Sequence, residues 1–471
     1  MSFRALALGA MIIGAGSAMA ADLRPDQRAF RDLYKELVET NTTQSSGSCT
    51  QAAAQLAARL KAAGYPDSDL TLFSVPEFPK DGGLVAVLPG TDPAAKAVLL
   101  LAHLDVVEAK REDWVRDPFT LVEEDGKRYG RGTLDDKAQA AIWSDTLIRL
   151  RAEGVKPRRT LKMALTCGEE GGPFNGAAWL TQNKRALIDA EFALNEGGFG
   201  LLDGQGKPSA IVMEVGEKSY RDYQLEVTNP GGHSSRPVKE NAIYRLARAL
   251  TAIDGYVFPI QFTDSSRAYF TAIGRQQAAK GNRQVADAIA AMLKTPADLR
   301  AAELVAGFDP SWNGTLRTTC VATMIEGGHA QNALPQRARA NINCRIFPGT
   351  SGEQVRAQLA SVVKDPAVSV TMTTPEEPAP PVSPMTANII EPVNRLLAEM
   401  WPGLPVLPIL QAGATDGRYL NNAGIPTYGI DANFVDTEIN HIHGLNEYVA
   451  VDSLMKDRDF LYRLVKGYIG S

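Results

Sequence analysis

The 471-residue sequence has no excess of basic residues, no repeat of solenoid length and, after residue 20, no apolar run long enough to cross a membrane. Its 49 lysines and arginines face 54 aspartates and glutamates, which gives a formal net charge of −5. Nucleic acids and anionic membranes are usually bound by basic surfaces, so the composition argues against both classes of partner. It is typical of a globular protein whose partners are small molecules.

One short apolar run lies at the N-terminus, and it predicts a signal peptide over residues 1–20. Arg4 precedes the uncharged stretch 5–16, and Ala18-Met19-Ala20 is a small-x-small cleavage site. The run is short for a membrane span, which favours a signal peptide over the alternative, an uncleaved membrane anchor. We therefore expect a secreted mature chain without a membrane span, which is periplasmic if the source is a Gram-negative bacterium.

Cysteine is scarce, with four residues, but disulfides can persist in an exported protein. Cys320 and Cys344 lie in two β-like runs, Thr315–Glu326 and Arg337–Phe347. They would face each other if the chain folds as a hairpin about residue 332. Alternatively, both are simply small apolar strand residues. Cys49 and Cys167 could also pair, but four cysteines allow three pairings and the sequence does not choose between them.

The chain is too long for one ordinary hydrophobic core, so we expect two domains. Short apolar strands alternate with helices between residues 84 and 195, which predicts an α/β sheet flanked by helices. From Tyr220 onward the order becomes strand, helix, two strands, helix and strand, typical of a smaller α+β domain. The elements after the Pro-rich segment Pro375–Pro384 suit the first domain again, so the smaller domain is predicted to be inserted into the larger one.

The predicted boundaries follow from these changes of pattern. The larger domain is predicted to comprise residues 21–215 and 376–471, and the inserted domain residues 216–375. An alanine-rich helical stretch, roughly Tyr269–Ala306, looks like a further insertion that occupies about residues 256–312.

Potential metal-binding side chains stand where predicted strands end. The first such strand runs into His103-Leu104-Asp105, and residues two apart on a strand point to the same side of a sheet. A carboxylate such as Asp105 can hold the second nitrogen of an imidazole that binds a metal. This signal is weak by itself, because most histidines at strand ends are not ligands.

Two pairs of adjacent carboxylates follow. Asp135-Asp136 comes after a glycine-rich loop, at the start of a helix predicted over Asp136–Glu153, and one of the two could simply be the helix N-cap. Glu169-Glu170 follows a strand, and adjacent side chains cannot both face the same way. One could bind a cation while the other acts as a general base, although an exposed acidic turn is the alternative.

Two further motifs complete the set. Glu196 follows a strand and precedes two glycines, and His441 and His443 stand two residues apart near the C-terminus. Strand ends converge at one crevice in an open α/β sheet, and the chain contains only five histidines. Mixed imidazole and carboxylate ligands with an open position are typical of hydrolytic zinc sites.

This order of motifs resembles the co-catalytic zinc metallopeptidases that include glutamate carboxypeptidase, aminoacylase, acetylornithine deacetylase and succinyl-diaminopimelate desuccinylase. The resemblance covers nearly the whole mature chain and implies a zinc-peptidase-like catalytic domain interrupted by a lid and dimerisation domain. It implies two zinc ions, with Co²⁺ or Mn²⁺ as substitutes. The implied roles are one zinc held by His103 and Glu196, another held by Glu170 and His443, a bridging Asp135, an orienting Asp105 and a general base Glu169.

The inserted domain also matches this family. The segment Asn229–Pro237 resembles the lid motif whose histidine reaches the active site of the other subunit of a homodimer, so His233 would stabilise the oxyanion. The alternative is a glycine-rich hairpin with an exposed histidine. Asn332 and Arg345 match the lid asparagine and arginine of the family, and Arg345 would bind a substrate carboxylate.

A last match lies near the C-terminus, where Gly413 and Thr415 belong to a segment similar to the substrate-side glycine loop of the family. Together these features predict an exported, metal-dependent hydrolase that cleaves a peptide bond in dipeptides or small peptides with a free carboxylate. An N-acyl-amino-acid deacylase would use the same residues. A non-catalytic exported peptide-binding protein is a third possibility, but a pure binder needs no base, and Glu169 argues against it.

Overall fold

The computed structural model describes residues 23–203, 205–375, 379–411, 413–435 and 441–470. The predicted signal peptide lies outside these ranges, as does part of the Pro-rich segment Pro375–Pro384. None of the helices within the described ranges is long and apolar enough to cross a membrane.

The strands belong to a ten-stranded sheet, a four-stranded sheet and two smaller groups. In chain order they are β1 Leu70–Val75, β2 Phe78–Leu88, β3 Val98–His103, β4 Val122–Glu124, β5 Lys127–Tyr129, β6 Leu161–Thr166, β7 Phe192–Asn195, β8 Phe199–Leu202, β9 Pro208–Glu217, β10 Ser219–Thr228, β11 Gly232–His233, β12 Thr319–Gly327, β13 Ala333–Leu334, β14 Arg337–Ile346, β15 Val368–Met372, β16 Val406–Gln411, β17 Thr427–Ile430, β18 Phe434–Val435 and β19 Tyr448–Ala450.

The helices surround these sheets. In chain order they are α1 Pro25–Glu39, α2 Cys49–Ala62, α3 Lys137–Ala152, α4 Gly176–Asn183, α5 Arg185–Ile188, α6 Ala242–Asp254, α7 Asp264–Ala279, α8 Arg283–Met292, α9 Leu299–Phe308, α10 Pro310–Leu316, α11 Gly352–Val363, α12 Ala387–Met400, α13 Gly417–Asn422 and α14 Val451–Ile469.

The ten-stranded sheet has the order β1-β2-β6-β3-β7-β17-β9-β8-β18, with β16 paired to β9. Strand β3 is parallel to β6 and β7, and β17 is parallel to β7. Strands β1, β2 and β8 form antiparallel pairs. The α/β fold with a mixed sheet flanked by helices, predicted from the sequence, is thus confirmed.

Strand β3 shows how both faces of this sheet are covered. Leu100 and Ala102 belong to the core formed with α1, α2, α3 and α14, whereas Leu99 and Leu101 belong to the core formed with α4 and α13. Each fully buried leucine contributes roughly 2 kcal/mol through the removal of apolar surface from water. A strand buried on both faces is therefore a rigid support for the residues at its end.

The four-stranded sheet is antiparallel, in the order β12-β14-β10-β15, and α6 and α11 pack on one of its faces. The strand and helix order predicted from the sequence beyond Tyr220 is present. One boundary differs, because residues 310–316 form α10 and β12 begins only at Thr319. A short ribbon of β11 and β13 extends from this region.

The predicted helical insertion consists of α7, α8, α9 and α10, which share a core of their own. That core includes Phe270, Met292 and Trp312 together with Ala210 and Leu407, which lie in β9 and β16 of the ten-stranded sheet. The insertion therefore packs against the larger sheet, although the chain enters and leaves it from the four-stranded one.

All four cysteines form disulfides. Cys320 pairs with Cys344 directly across β12 and β14, in the cross-strand position that the hairpin interpretation predicts. Cys49 at the start of α2 pairs with Cys167, which follows β6, so the second pairing joins residues 118 positions apart. It fixes α2 beside the strand end that leads into Glu169.

Candidate metal centre and active site

The parallel strands bring the predicted ligands to one edge of the sheet. His103 is the last residue of β3 and lies opposite Thr166, the last residue of β6. Glu196 directly follows β7, the other neighbour of β3. Because parallel strands end at the same edge, topology alone collects His103, Glu196 and the Glu169-Glu170 pair there.

Asp135 lies between two imidazoles. Its Oδ1 is 3.0 Å from Nε2 of His103, and its Oδ2 is 3.1 Å from Nε2 of His443. Glu170 Oε2 lies 2.9 Å from the same nitrogen of His443, and Glu196 Oε2 lies 3.7 Å from Nε2 of His103. The structure thus brings these five predicted ligands close together, with Asp135 between the two histidines.

The second nitrogen of His103 is also fixed. Nδ1 lies 2.9 Å from the backbone oxygen of Asp105 and 3.6 Å from its Oδ1. The other carboxylate oxygen of Asp105 accepts a hydrogen bond from the backbone N–H of Glu170 at 2.9 Å. Asp105 therefore orients His103 through its backbone, and its carboxylate positions the loop of Glu170. With Nδ1 held, Nε2 faces the carboxylates, as in an imidazole ready to bind a metal.

Asp136 does not act as a helix cap. It occupies the N-cap position of α3, but its side chain makes no capping hydrogen bond. Its Oδ2 instead accepts from the backbone N–H of His103 at 3.2 Å. Both members of the Asp135-Asp136 pair thus contact His103.

The carboxylates line a cavity of about 400 Å³ together with His443. Among the described residues that line it, none is a lysine or arginine. Burial raises the pKa of Glu169 to about 10 and that of Glu196 to about 7, and the mutual proximity of the two carboxylates contributes to the shift of Glu169. Hydrogen bonds to Asp135 and Glu170 raise the pKa of His443 to about 10. Burial thus favours the protonated forms of these carboxyls, and bound cations would favour the ionised forms.

The residues present therefore fit two divalent ions. His103, Asp135 and Glu170 offer ligand atoms within 4.8 Å of one another, and so do His103, Asp136 and Glu196. Imidazole nitrogens and carboxylate oxygens are the donors that hydrolytic zinc sites use. Glu169 is half-buried and lines the same cavity without entering either ligand group.

A second cavity continues from the first and contains Arg345. Both cavities include Glu169, Glu170, Gly413 and His443. Arg345 lies on β14, and its guanidinium sits 4.9 Å from the centre of the Tyr220 ring. The predicted carboxylate-binding residue thus lies beside the ligand cluster.

The other two predicted lid residues lie elsewhere in this chain. His233 and Asn332 are exposed at the β11–β13 ribbon, where the backbone N–H of Ser234 donates to the carbonyl of Asn332 at 3.0 Å. Among the cavities lined by described residues, neither of the two that contain Glu169 includes them. A single subunit does not bring His233 or Asn332 to the cluster.

The predicted substrate-side loop does reach the cavity, through Gly413 and Thr415. Thr415 is fixed by Glu217, which accepts from its hydroxyl at 2.6 Å and from its backbone N–H at 2.9 Å. The side chain of Thr415 therefore holds the loop in place.

Glu447, a buried carboxylate in the loop of His443, is a candidate site residue that no motif in the sequence indicates. It contacts the loop that carries Asp135. The only sequence signal was its position four residues after His443, which does not by itself distinguish a buried acceptor from an exposed acid.

Residues 99–467 match the profile of Peptidase family M20/M25/M40. The chain belongs to this family. The resemblance to metallopeptidases inferred from the motifs is confirmed, and the protein is an enzyme that hydrolyses amide bonds.

Two relatives illustrate the range of the family. The chain is 29% identical over 412 residues to the human N-fatty-acyl-amino acid synthase/hydrolase PM20D1, covering 85% of this chain and 80% of that protein. It is also 29% identical over 386 residues to the probable carboxypeptidase S-like 2 of Dictyostelium discoideum, covering 80% of this chain and 72% of the relative.

Solved structures share the fold. The M20 family metallo-carboxypeptidase Sso-CP2 from Sulfolobus solfataricus has a TM-score of 0.67 at 16% identity, covering 95% of this chain and 100% of that one. Human carnosine dipeptidase 1 has a TM-score of 0.63 at 17% identity, with 94% and 96% covered. Bacillus subtilis YXEP, described as a dinuclear metal binding peptidase, has a TM-score of 0.57 at 11% identity, with 93% and 96% covered.

Proposed function

We propose that this enzyme is an exported carboxypeptidase or dipeptidase that uses two zinc ions to hydrolyse the peptide bond next to a free carboxylate. The observation that carries the proposal is the arrangement around Asp135, whose two carboxylate oxygens each face a histidine at about hydrogen-bond distance. A half-buried Glu169 beside this cluster, and Arg345 in the adjoining cavity, supply a base and a carboxylate-binding group.

The proposed ligands of the two ions are His103 with Glu196, and His443 with Glu170, with Asp135 shared between them. When bound, such ions polarise the scissile carbonyl and lower the pKa of water at the site. The description of Bacillus subtilis YXEP as dinuclear supports two ions. Co²⁺ and Mn²⁺ are expected to substitute, because they accept the same nitrogen and oxygen donors.

Glu169 is the proposed general base. Its carboxylate takes a proton from the attacking water and delivers it to the leaving nitrogen, so it must be ionised before the reaction starts. Burial raises the pKa of Glu169, and nearby divalent cations oppose that shift because positive charge favours the ionised form. Arg345 holds the carboxylate of the leaving amino acid by a charge-assisted hydrogen bond.

The side chains that line the first cavity, the one that contains Glu196, suggest which acyl group the substrate carries. Asp431 and Asn433 offer polar groups, which suits the amine and amide groups of a peptide. Phe199, Val435 and Ile442 offer apolar contact. These apolar side chains, together with the similarity to a protein named as an N-fatty-acyl-amino acid hydrolase, support N-acyl amino acids as the second candidate substrate class.

A homodimer through the inserted domain is part of the proposal. Strand β12 is an edge of the four-stranded sheet and exposes Val321, Met324 and Ile325, and the neighbouring α6 exposes Tyr244. An exposed apolar edge strand invites pairing with a second chain. In such a dimer, His233 of one subunit would reach the active site of the other and stabilise the oxyanion there.

Export of the enzyme is a separate part of the proposal, and it is supported only by the sequence of residues 1–20.

The test is hydrolysis of dipeptides and N-acyl amino acids by purified enzyme, with and without a chelator. We expect release of the C-terminal amino acid from dipeptides, loss of activity with the chelator and recovery on addition of Zn²⁺. Glu169→Gln should lower kcat by at least about 100-fold, since general-base catalysis contributes that much, while the zinc content stays near that of the wild type.

Glu353→Gln is the matched control, because Glu353 is an exposed glutamate of α11 paired with Arg356. It should retain full activity. Hydrolysis restricted to N-acyl amino acids would select the second candidate. Hydrolysis of neither substrate class, or full activity in Glu169→Gln, would overturn the proposed mechanism.

A further inference from the structure

Glu447 is a buried carboxylate that accepts four hydrogen bonds from one short segment. Its Oε1 accepts from the backbone N–H groups of Leu134 and Asp135, at 2.8 and 3.1 Å. Its Oε2 accepts from the backbone N–H of Gly132 and from Nη1 of Arg131, at 2.9 and 2.7 Å. Glu447 is only 1% exposed, so water cannot replace these bonds.

Arg131 connects the same two segments through its own side chain. It is also buried, and while Nη1 pairs with Glu447, Nη2 donates to the carbonyl of Gly444 at 2.9 Å. In addition, the backbone N–H of Gly130 donates to the carbonyl of Glu447 at 3.1 Å. Residues 130–135 are thus bonded to residues 444–447 at six points.

These two segments carry different ligands. Asp135 belongs to the first segment, and His443 directly precedes the second. His443 stands in the left-handed backbone region, with φ of 60°, which most residues disfavour. Without external bonds, the loop would not hold His443 in that conformation, and the distance from its Nε2 to Asp135 Oδ2, 3.1 Å, would not be maintained.

We propose that Glu447 is a positioning residue that locks the bridging ligand Asp135 and the terminal ligand His443 into one rigid unit. It touches neither ion nor substrate. It acts by fixing the distance between two ligands of the same ion before that ion binds, so that binding does not have to order the loops. This inference rests on the two-ion site of the proposed function. Both Asp135 and His443 of one ion lie on the loops that Glu447 connects, whereas the other ion would have only Asp135 there, and Asp135 is also held by His103. The ion bound by His443 is therefore the one that Glu447 controls.

An amide cannot replace the carboxylate here. In the part of the chain that the structure describes, the four groups bonded to the two oxygens of Glu447 are all N–H donors. Glutamine would direct its own NH₂ group against two of them. Glu447→Gln therefore loses hydrogen bonds on one side and leaves buried donors without an acceptor. Outer-shell partners of metal ligands typically change metal affinity by about 10- to 100-fold when removed.

The experiment is titration of metal-free enzyme with Co²⁺, followed by the visible absorption of the bound ion and by calorimetry, well below the unfolding temperature. The wild type should bind two ions. Glu447→Gln should bind one ion with near wild-type affinity and the other about 10- to 100-fold more weakly. Its kcat should fall at limiting metal and recover with excess Co²⁺, while KM stays nearly constant.

Asp145→Asn is the control for a purely structural effect. Asp145 is a buried carboxylate in α3 that accepts from Arg458 Nε at 2.8 Å, and it contacts no proposed ligand. Its loss should lower stability without changing the affinity for either ion. If Glu447→Gln does not fold, Arg131→Lys serves instead, since lysine keeps the charge but cannot bridge Glu447 and Gly444. It should weaken the same ion.

The outcomes separate this inference from the proposed function. Equal affinity of wild type and Glu447→Gln for both ions would overturn the role of Glu447 and leave the two-ion site intact. A wild-type enzyme that fails to bind two ions would contradict the proposed function itself. Weaker binding of both ions in Asp145→Asn as well as in Glu447→Gln would reduce the effect to general destabilisation and overturn the positioning role.

Discussion

At the scale of single residues, the carboxyl group of Asp457 shows how the burial of an acid lowers the stability of the fold. Asp457 lies in α14 and is 3% exposed, and burial raises its pKa to about 7. Its neighbour Asp431 also has a raised pKa, through burial and the proximity of Asp457. In the unfolded chain Asp457 loses its proton near pH 4. The free energy of unfolding therefore declines as the pH rises from about 4 to 7, and the whole decrease is present above pH 7.

We expect Asp457→Asn to stabilise the fold in a pH-dependent manner. Asparagine is neutral at every pH and can still accept the hydrogen bond that the backbone N–H of Ala432 donates to Asp457 Oδ1. The free energy of unfolding should rise by about 2–4 kcal/mol at pH 8 and change little at pH 4.5. Urea denaturation at both values measures it. Asp452→Asn, an exposed change on the same helix that removes an ion pair with Lys456, should lower both values by less than about 1 kcal/mol. An equal effect of Asp457→Asn at both pH values would refute the argument.

Single residues also show how much of the candidate site could be predicted from the sequence. His103, Glu196 and the Glu169-Glu170 pair could be predicted because each stands at a strand end, and parallel strands end at one edge. Glu447 could not, because its function depends on N–H groups some 312 residues away along the chain. Nor could the sequence show that Asp105 orients His103 through its backbone oxygen, because the carboxylate of Asp105 can accept a hydrogen bond from an imidazole as well.

At the scale of elements, the Cys49–Cys167 disulfide joins α2 to the end of β6, and the Cys320–Cys344 disulfide joins adjacent strands. The first closes a loop of 118 residues and the second a loop of 24. By loop-closure entropy, removal of the first should cost about 5 kcal/mol and removal of the second about 3.5 kcal/mol.

The two double-serine variants test this order. Both should unfold at lower denaturant concentration than the wild type, with the Cys49/Cys167 variant the less stable. That variant should also lose activity, because Cys167 leads directly into Gly168 and Glu169, whereas the Cys320/Cys344 variant should remain active under folding conditions. The reverse order of stability, or equal activity in both, would contradict the role assigned to the longer loop.

Elements whose apolar side chains recur at a regular spacing could be predicted from the sequence. Elements that depend on tertiary packing could not. The pattern of residues 136–153 predicted α3 to within one residue at each end, because apolar side chains recur at helical spacing and Gly154 ends the helix. The sequence predicts a strand from Thr315 onward, but Thr315 and Leu316 are the last two residues of the helix α10. The helix forms because Asp309 caps it and Trp312 packs into the core of the insertion.

At the scale of the whole molecule, four of the five potential ligands and the base line one cavity of a single subunit, and His103 lies 3.7 Å from one of them, Glu196. His233, in contrast, is exposed at the β11–β13 ribbon. The apolar edge of β12 offers a surface for a second copy of the chain. If the inserted domains pair there, each active site takes its oxyanion-stabilising histidine from the other subunit. The unit of catalysis would then be the dimer, and no isolated subunit would be active.

Mixed dimers distinguish this arrangement from a site complete within one chain. His233→Ala removes the donated histidine and Glu169→Gln removes the base, so each homodimer should be nearly inactive. In a co-expressed mixture, half of the dimers are mixed, and each contains one site with both an intact Glu169 and a donated His233. Activity should therefore rise to about a quarter of the wild-type value, measured per subunit with the preferred dipeptide. A mixture no more active than its two components would show that His233 acts within its own subunit or not at all.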